Sequence, residues 1–183
     1  MTPILATSNI HKAREFKKIF RDAGIALKHV SLKTIEIQSE RLEDIAVFSS
    51  LQAFEAVGRP VFVEDAGLFI ESLDGFPGPY SSYVYRTIGL EGVLRLVGDD
   101  REARFVSVIS YYDGRTSPHI FRGEVHGRIA ERPRGRYGFG FDPIFIPEGS
   151  DKTFAEMSRG IKTGKSHRGL AARRFIAWLR GQG

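Results

Sequence analysis

The order of elements at the start of the chain limits the folds available to it: an apolar strand, a short polar turn and an amphipathic helix. Residues 3–7, "PILAT", are predicted to form a buried strand. From Lys12 onward apolar residues recur at helical spacing, at Ala13, Phe16, Ile19, Phe20 and Ala23. Gly24 is a natural end for that helix. The sequence therefore predicts a β-α-β-like beginning, which is typical of α/β proteins.

Strands and helices continue to alternate along the chain. "ALKHVSL" and the apolar run "PVFVED" are predicted strands, and a helix is predicted from about Leu42 to Val57, with Gly58 beyond it. "LEGVLRLVG" is predicted to be a short helix, and "RGLAARRFIAWLR" is predicted to be the last helix.

The segment at residues 101–129 has a different pattern. Two alternating runs rich in β-branched and aromatic residues flank Asp113-Gly114, which indicates a β-hairpin. We therefore predict an α/β fold with a mixed, strongly twisted central sheet flanked by helices. Residues 1–183 are expected to form a single domain with two lobes, in which the hairpin carries the second lobe and a substrate cleft lies between the lobes.

Composition narrows the classes of partner. The sequence has no cysteine, which excludes disulfides and thiolate metal sites. Its net charge of +5 suits an anionic partner, whether nucleotide, nucleic acid or membrane surface. The expected compartment is the cytoplasm, because the first residues lack a basic leader and no apolar run approaches the length of a membrane span.

The polar turn "TSNIHK" at residues 7–12 contains the only asparagine of the chain. Ser8 or Asn9 is predicted to cap the first helix. Backbone N–H groups at a helix N-terminus attract phosphate, and Lys12 adds a positive charge one turn inside the helix. Ordinary helix capping with a solvated lysine is the alternative, and the turn alone favours it. The glycines of a Walker A loop are missing.

Two acidic side chains end the predicted strand "PVFVED". Ligands bind at strand ends in α/β sheets, and successive side chains on a strand point to opposite faces. Of Glu64 and Asp65 we therefore favour Asp65, which is nearer the loop, as the functional carboxylate. The alternative is a solvated sheet edge. The following "DGFPGPYSS" is predicted to be a rigid loop that either shapes a pocket rim or only makes a turn.

Two later stretches could bind a nucleotide. In "YGFGFDPIFIP", Phe139 lies between two glycines and could stack on a base, whereas Phe141 and Phe145 are expected in the core. In "KTGKSHRG", Ser166 is predicted to cap the last helix, and Lys162, Lys165, His167 and Arg168 cluster at its N-terminus. Like charges there are unfavourable unless an anion binds, although a basic surface helix is the alternative.

Five motifs carry a resemblance to a known family, in this order: "ATSNIHKAREF", "EDAGLFIESLDGFPGPYSS", "GFGFDPIFIP", "KTFAEMS" and "SHRG". They span nearly the whole chain, which closely resembles the Ham1/RdgB family of inosine triphosphate pyrophosphatases. The resemblance implies Mg²⁺-dependent hydrolysis of ITP, dITP and XTP to the monophosphate and pyrophosphate. It also implies a homodimer, with no stable nucleic-acid partner and no membrane association.

The resemblance also implies roles for particular residues. The triphosphate motif is matched by Thr7, Ser8, Asn9, Ile10, His11 and Lys12. Glu36 and Asp65 match the metal ligands, and Asp65 also matches the proton acceptor. The base-binding stretch is matched by Phe139, Gly140, Phe141 and Asp142, and the substrate clamp by Lys162, His167 and Arg168. Ala66 replaces a serine of the family pattern, so only a backbone contact to substrate is implied there, and Thr163 replaces a frequent asparagine.

Some alternatives stay open at this point. Because a carboxylate bound to Mg²⁺ is a weaker base, Glu64 or a metal-bound hydroxide could replace Asp65 as the base. Arg168 can only donate hydrogen bonds, which favours the 6-keto group of hypoxanthine over the amino group of adenine but does not exclude guanine. A nucleic-acid-binding module, or a hydrolase acting on ordinary or pyrimidine triphosphates, is the competing interpretation of the whole chain.

Overall fold

The computed structural model describes residues 2–181, except for the side chain of Arg159. The strands are β1 Ile4–Ala6, β2 Lys28–Val30, β3 Val61–Ile70, β4 Pro77–Gly78, β5 Glu102–Tyr112, β6 His119–Ile129 and β7 Phe145–Pro147. The helices are α1 Ile10–Asp22, α2 Leu42–Val57, α3 Ser81–Thr87, α4 Gly89–Leu96, α5 Arg159–Lys165 and α6 His167–Arg180. Single turns of 3₁₀-helix cover Glu71–Leu73, Asp142–Ile144 and Phe154–Glu156.

The seven strands of this part of the chain form one mixed sheet in the order β2-β1-β3-β5-β6-β7, with β4 paired to β3. β1 pairs in parallel with β2 and β3, whereas the pairs from β3 onward are antiparallel. The predicted α/β fold with a mixed sheet flanked by helices is confirmed. The long β5–β6 hairpin is also confirmed, with Gly114 of the connecting loop at φ +81°.

The two faces of the sheet are covered by different helices, and the alternation along the strands decides which residues they meet. Leu5 and Phe62 point to the face packed by α1 and α6, whose Phe16, Phe20 and Phe175 belong to the same buried cluster. The intervening strand residues, such as Ile4 and Val63, pack with Ala53 of α2 on the other face. Residues after Val63 on β3 continue this alternation into the functional site.

Two short helices were not predicted from the sequence. α3 begins at Ser81, inside the stretch expected to be a rigid loop, and only Ser81 and Val84 of it are buried, so it lacks a strong apolar period. α5, "RGIKTGK", contains two glycines and one apolar residue. As a result Lys162 and Lys165 belong to α5, and not to the N-terminus of the last helix where the sequence suggested they cluster.

The helices predicted over longer segments agree with the structure. α2 has the predicted bounds, and Gly58 ends it in the left-handed conformation at φ +66°. Ser166 caps α6 by accepting a hydrogen bond from the Gly169 N–H. None of the helices found within residues 2–181 combines the length and the apolar character that a membrane crossing needs.

Candidate active site

One cavity of about 1040 Å³ gathers most of the residues that the sequence singled out. Its lining includes Thr7, Ser8, Asn9, His11, Lys12, Glu36, Asp65, Ala66, Phe139, Gly140, Phe141, Asp142, His167 and Arg168. Of the predicted site residues, Ile10 and Lys162 are outside the lining: Ile10 is exposed on α1, and Lys162 is buried behind the cavity wall. The volume is at the upper end of the range for small-molecule sites, about 300–1,000 Å³.

Asn9 is the N-cap of α1. Its Oδ1 accepts hydrogen bonds from the N–H groups of His11, at 3.0 Å, and Lys12, at 3.1 Å. The Asn9 N–H itself donates to Thr7 Oγ1. Two of the backbone donors that the sequence suggested for phosphate are therefore already used by the cap. The side-chain NH₂ of Asn9 makes no hydrogen bond within residues 2–181 and lies on the cavity wall.

Glu64 and Asp65 point to opposite faces of β3, as the strand period requires. Glu64 shares the face of Phe62 and meets α6, where Arg168 Nε donates to its Oε1 at 3.0 Å. Asp65 shares the face of Val63, on the side of α2. Lys12 contacts both: its Nζ lies 3.0 Å from Glu64 Oε2 and 3.9 Å from Asp65 Oδ1.

The two carboxylates have different proton affinities because their partners differ. Burial raises the pKa of Asp65 to about 6, with further contributions from the negative charges of Glu64 and Glu36 that Lys12 only partly offsets. Burial alone would also raise the pKa of Glu64, but the charges of Arg168 and Lys12 lower it to about 2. Glu64 is thus a permanent anion that is fully paired, whereas Asp65 is the carboxylate with basic character.

A chain of ion pairs joins Asp142 and Glu64 on the cavity wall through Lys162, Glu15 and Arg168. Lys162 Nζ lies 2.6 Å from Asp142 Oδ2 and 2.8 Å from Glu15 Oε1. The other oxygen of Glu15 accepts from Arg168, which in turn donates to Glu64. The charges of Arg168 and Lys162 overcome the effect of burial and lower the pKa of Glu15 to about 2. Lys162 and Arg168 are therefore balanced by carboxylates of the protein itself and need no external anion for that balance.

The stretch "GFGFD" at residues 138–142, for which the resemblance implied base binding, forms a turn around Asp142. The Phe139 N–H donates to Asp142 Oδ2 at 2.7 Å, and burial raises the pKa of Asp142 although Lys162 opposes this. The Phe139 ring stacks on His11 with a centroid distance of 5.1 Å, and Lys162 Nζ lies 5.3 Å from its centre. Phe141 and Phe145 are buried in the core, as predicted. Phe139 is therefore the aromatic ring of this stretch that both lines the cavity and carries cations at its face.

His167 contributes no positive charge at neutral pH. Its ring is 3% exposed and stacks on Phe105 with centroids 4.4 Å apart. Burial, and then the nearby charge of Arg168, lower its pKa well below the ordinary value. Its Nδ1 has no hydrogen-bond partner among the residues that the structure describes. The cationic cluster expected from "KTGKSHRG" therefore consists of Lys162 and Arg168 at this site.

Glu15, Ser107 and Phe105 were missed by the sequence reasoning. Glu15 bridges Lys162 and Arg168, and Ser107 Oγ donates to Glu64 Oε1 at 2.6 Å. Glu15 follows Lys12 by three positions on α1, so helical spacing could have placed both on one face. Ser107 and Phe105 belong to β5, whose pairing with β3 brings Ser107 opposite Ala66, and nothing local in the sequence reveals that register.

The cavity offers no excess of positive charge to a polyphosphate. Four cationic and four carboxylate side chains line it: Lys12, Lys33, Arg86 and Arg168, with Glu36, Glu64, Asp65 and Asp142. No cluster of three or more potential metal-ligating His, Cys, Asp or Glu side chains occurs among the described residues. A site of one or two carboxylates is what Mg²⁺ commonly uses when substrate phosphates complete its coordination.

Comparison with known proteins identifies the family of the chain. A model of the Ham1 family matches residues 3–178. The dITP/XTP pyrophosphatase of Hyperthermus butylicus is 51% identical over 183 residues, covering 98% of this chain and 95% of that protein. The dITP/XTP pyrophosphatase of Methanopyrus kandleri is 50% identical over 182 residues, covering 98% of this chain and 97% of that protein.

Solved structures show the same similarity at lower sequence identity. The Ham1 protein of Staphylococcus aureus superposes with a TM-score of 0.84 at 32% identity, covering all of both chains. A HAM1 protein from Coxiella burnetii gives a TM-score of 0.84 at 30% identity, covering 99% of this chain and 100% of that one.

Proposed function

The chain belongs to the Ham1 family, and we propose that it hydrolyses the non-canonical purine nucleoside triphosphates ITP, dITP and XTP in the cavity lined by residues 7–12 and 138–142. The products are the nucleoside monophosphate and pyrophosphate, so the reaction removes deaminated purines from the nucleotide pool. The observation that carries the site assignment is that one cavity is lined by both the capped turn at residues 7–12 and the aromatic turn at residues 138–142.

We propose that the triphosphate lies against the turn before α1. Thr7, Ser8, Asn9 and Lys12 line the cavity there, and their hydroxyl, amide and ammonium groups can donate hydrogen bonds to phosphate. The Asn9 cap fixes the turn through its Oδ1, and no hydrogen bond within residues 2–181 uses its NH₂ group. Lys12 Nζ also donates a hydrogen bond to the backbone carbonyl of Glu64 at 2.9 Å. This bond connects the start of α1, where the triphosphate is proposed to lie, with β3.

Mg²⁺ is the proposed cofactor, and Glu36 and Asp65 are the residues that would hold it. The fit rests on two observations: both are carboxylates on the cavity wall, and the negative charge of Glu36 lies close enough to contribute to the raised pKa of Asp65. When bound, the metal supplies positive charge that neutralises the phosphates and polarises the α-phosphorus. Lys12 assists by placing its ammonium beside both acids of β3.

Asp65 is the proposed group that orients and deprotonates the attacking water. In the metal-free site its raised pKa of about 6 makes it a better proton acceptor than its neighbour Glu64, which Arg168 and Lys12 keep ionised and paired; a bound metal would lower the proton affinity of Asp65. Attack on the α-phosphorus breaks its bond to the bridging oxygen, and pyrophosphate leaves with the electron pair. The pairing of Glu64 thus argues against its use as the base.

The proposed base site is formed by Phe139 and the charged pairs behind it. Phe139 supplies an aromatic ring on the cavity wall, where a base would stack in place of His11, and Arg168 offers hydrogen-bond donors to a 6-keto oxygen. Against the 6-amino group of adenine the same donors would stay unsatisfied, at a cost of roughly 1–3 kcal/mol. The bonds from Arg168 to Glu15 and Glu64 fix the guanidinium and limit its adjustment to adenine.

We further propose that residues 1–183 act as one domain in a cytoplasmic homodimer, with no stable nucleic-acid or membrane partner. The exposed side chains of Tyr80, Tyr83, Tyr85 and Ile88 provide an aromatic surface beside the cavity that a second copy could cover. Sedimentation analysis of the purified protein, with Tyr83→Ser as the variant, tests this assembly.

The decisive experiment is a panel of triphosphates with product detection. Purified protein is given ITP, dITP, XTP, ATP, GTP, CTP or UTP with Mg²⁺, and pyrophosphate and orthophosphate are measured separately, with EDTA as the control. We expect pyrophosphate from the first three substrates and a loss of activity with EDTA. Equal rates for all seven substrates, or release of orthophosphate alone, would contradict the proposal.

A further inference from the structure

The segment that carries Glu36 is held by side chains of α2. Residues 31–41 contain no helix or strand, although several of them line the cavity. The side-chain amide of Gln52 forms hydrogen bonds with both backbone groups of Ile35. Its Nε2 donates to the Ile35 carbonyl at 2.8 Å, and its Oε1 accepts from the Ile35 N–H at 3.1 Å. One side chain therefore does for Ile35 what a neighbouring strand does in a sheet.

Apolar packing contributes little to the position of Ile35 beside these two hydrogen bonds. The Ile35 side chain is 74% exposed, so little apolar area fixes the residue in place. A second tie comes from the preceding residue, where Thr34 Oγ1 lies 3.3 Å from Ser49 Oγ. Ser49 and Gln52 are three positions apart on α2 and so share one face of the helix. Because α2 packs on β3, both ties relate this segment to the strand that carries Asp65.

We propose that Gln52 is a positioning residue for Glu36. By holding Ile35, Gln52 sets the distance between the carboxylates of Glu36 and Asp65. The inference rests on the proposed function, since it takes Glu36 and Asp65 as ligands. Fixing Ile35 on both its N–H and C=O sides restricts the rotation of the adjacent backbone. Partners of this indirect kind commonly change metal affinity by about 10–100-fold when they are removed.

The experiment compares three variants with the wild-type protein. Gln52→Leu removes both hydrogen bonds at similar volume, and Glu36→Gln removes the proposed ligand itself. Gln38→Leu is the matched control, because it makes the same replacement at an exposed glutamine of the same segment. Mn²⁺ binding is titrated by electron paramagnetic resonance in the presence of the α,β-methylene analogue of ITP, and amide hydrogen exchange at Ile35 is measured without metal.

We expect Gln52→Leu to speed exchange at Ile35 and to weaken Mn²⁺ binding about tenfold, with Gln38→Leu unchanged in both. The positioning role would be overturned if Gln52→Leu speeds exchange at Ile35 but binds Mn²⁺ like the wild-type protein, while Glu36→Gln binds it more weakly. Unchanged amide exchange at Ile35 in Gln52→Leu would show that the Gln52 hydrogen bonds do not fix Ile35. If Glu36→Gln binds Mn²⁺ like the wild-type protein, the metal site under the proposed function is wrong, which is a separate result.

Discussion

The guanidinium of Arg168 donates from Nε to the carboxylate of Glu64 at 3.0 Å, across 104 positions of sequence. This pair occupies the acid that precedes Asp65 and leaves Asp65 as the acid whose proton affinity is raised. It also places Arg168, the proposed base-contacting residue, against the strand that carries the proposed catalytic residue. Substitutions of Asp65, Glu15, Phe139 and Arg168 each test one part of this arrangement.

Replacing Asp65 by asparagine should lower kcat by about 10²–10⁴-fold, because the variant cannot accept a proton from water. Pyrophosphate release from dITP at saturating Mg²⁺ measures the effect. Asp74→Asn is a suitable control, since Asp74 is exposed and its left-handed conformation, φ +51°, suits asparagine. A kcat near that of the wild-type protein in Asp65→Asn would refute the assignment of the base.

The same variant should be more stable than the wild-type protein at neutral pH without metal. The pKa of Asp65 is about 6 when folded and 3.8 in its ordinary state, so ionisation opposes folding as the pH rises through this window. The gain should be up to about 3 kcal/mol at pH 8 and should vanish below about pH 4. Urea unfolding of both proteins in EDTA at the two pH values provides the comparison, and a gain that does not depend on pH would contradict the raised pKa.

Glu15→Gln should destabilise the protein, because it leaves the buried Lys162 and Arg168 without their shared carboxylate. The pKa of Glu15 is lowered from 4.5 to about 2, so its contribution is present above about pH 4.5 and is lost as the pH falls through 2. We expect a loss of about 2–3 kcal/mol at pH 7 that shrinks at low pH. Urea unfolding measures it, with exposed Glu40→Gln as control, and equal stability of the two variants would count against the bridge.

Phe139→Ala should raise KM for ITP by about tenfold to a hundredfold, since loss of an aromatic ring that stacks on a base costs roughly 1–3 kcal/mol. Phe139→Tyr keeps the ring and should stay close to the wild-type value. Tyr137→Ala, an exposed aromatic residue in the same stretch, is the control. Steady-state kinetics decide the matter, and the stacking role fails if both alanine variants behave alike.

Arg168→Ala should reduce the preference for ITP over ATP by about tenfold to a hundredfold, because the variant no longer leaves donors unsatisfied against adenine. The ratio of kcat/KM for the two substrates is the measurement. Arg168→Lys keeps the charge but loses the planar fork, and it should show an intermediate ratio. Circular dichroism checks that the variants fold. An unchanged ratio in folded Arg168→Ala would exclude Arg168 as the discriminating group.

The local patterns of the sequence were sufficient for the elements that frame the site. Asn9 caps α1, Gly58 ends α2 and Ser166 caps α6, because capping depends on a residue and its next few neighbours. The opposite orientation of Glu64 and Asp65 also followed from the strand period alone. Short helices such as α3 and α5 escaped prediction because they have too few turns to show a period.

Contacts between distant segments had to come from the tertiary structure. The sequence indicated anion-binding cations at residues 162–168, but folding supplies Glu15, Glu64 and Asp142 as their partners. Likewise, the hydrogen bonds between Gln52 and Ile35 join residues 17 positions apart, and no local sequence pattern predicts them.

The sequence by itself determined the order of the longer strands and helices, several of their caps and the identity of the polar groups, because these depend on spacing along the chain. Only the tertiary structure decided which charges pair, which acid keeps a raised pKa and which donors remain for a ligand. Those properties depend on burial and on separations of a few ångströms between groups far apart in sequence, and electrostatic energies change steeply over such distances in a low-dielectric interior.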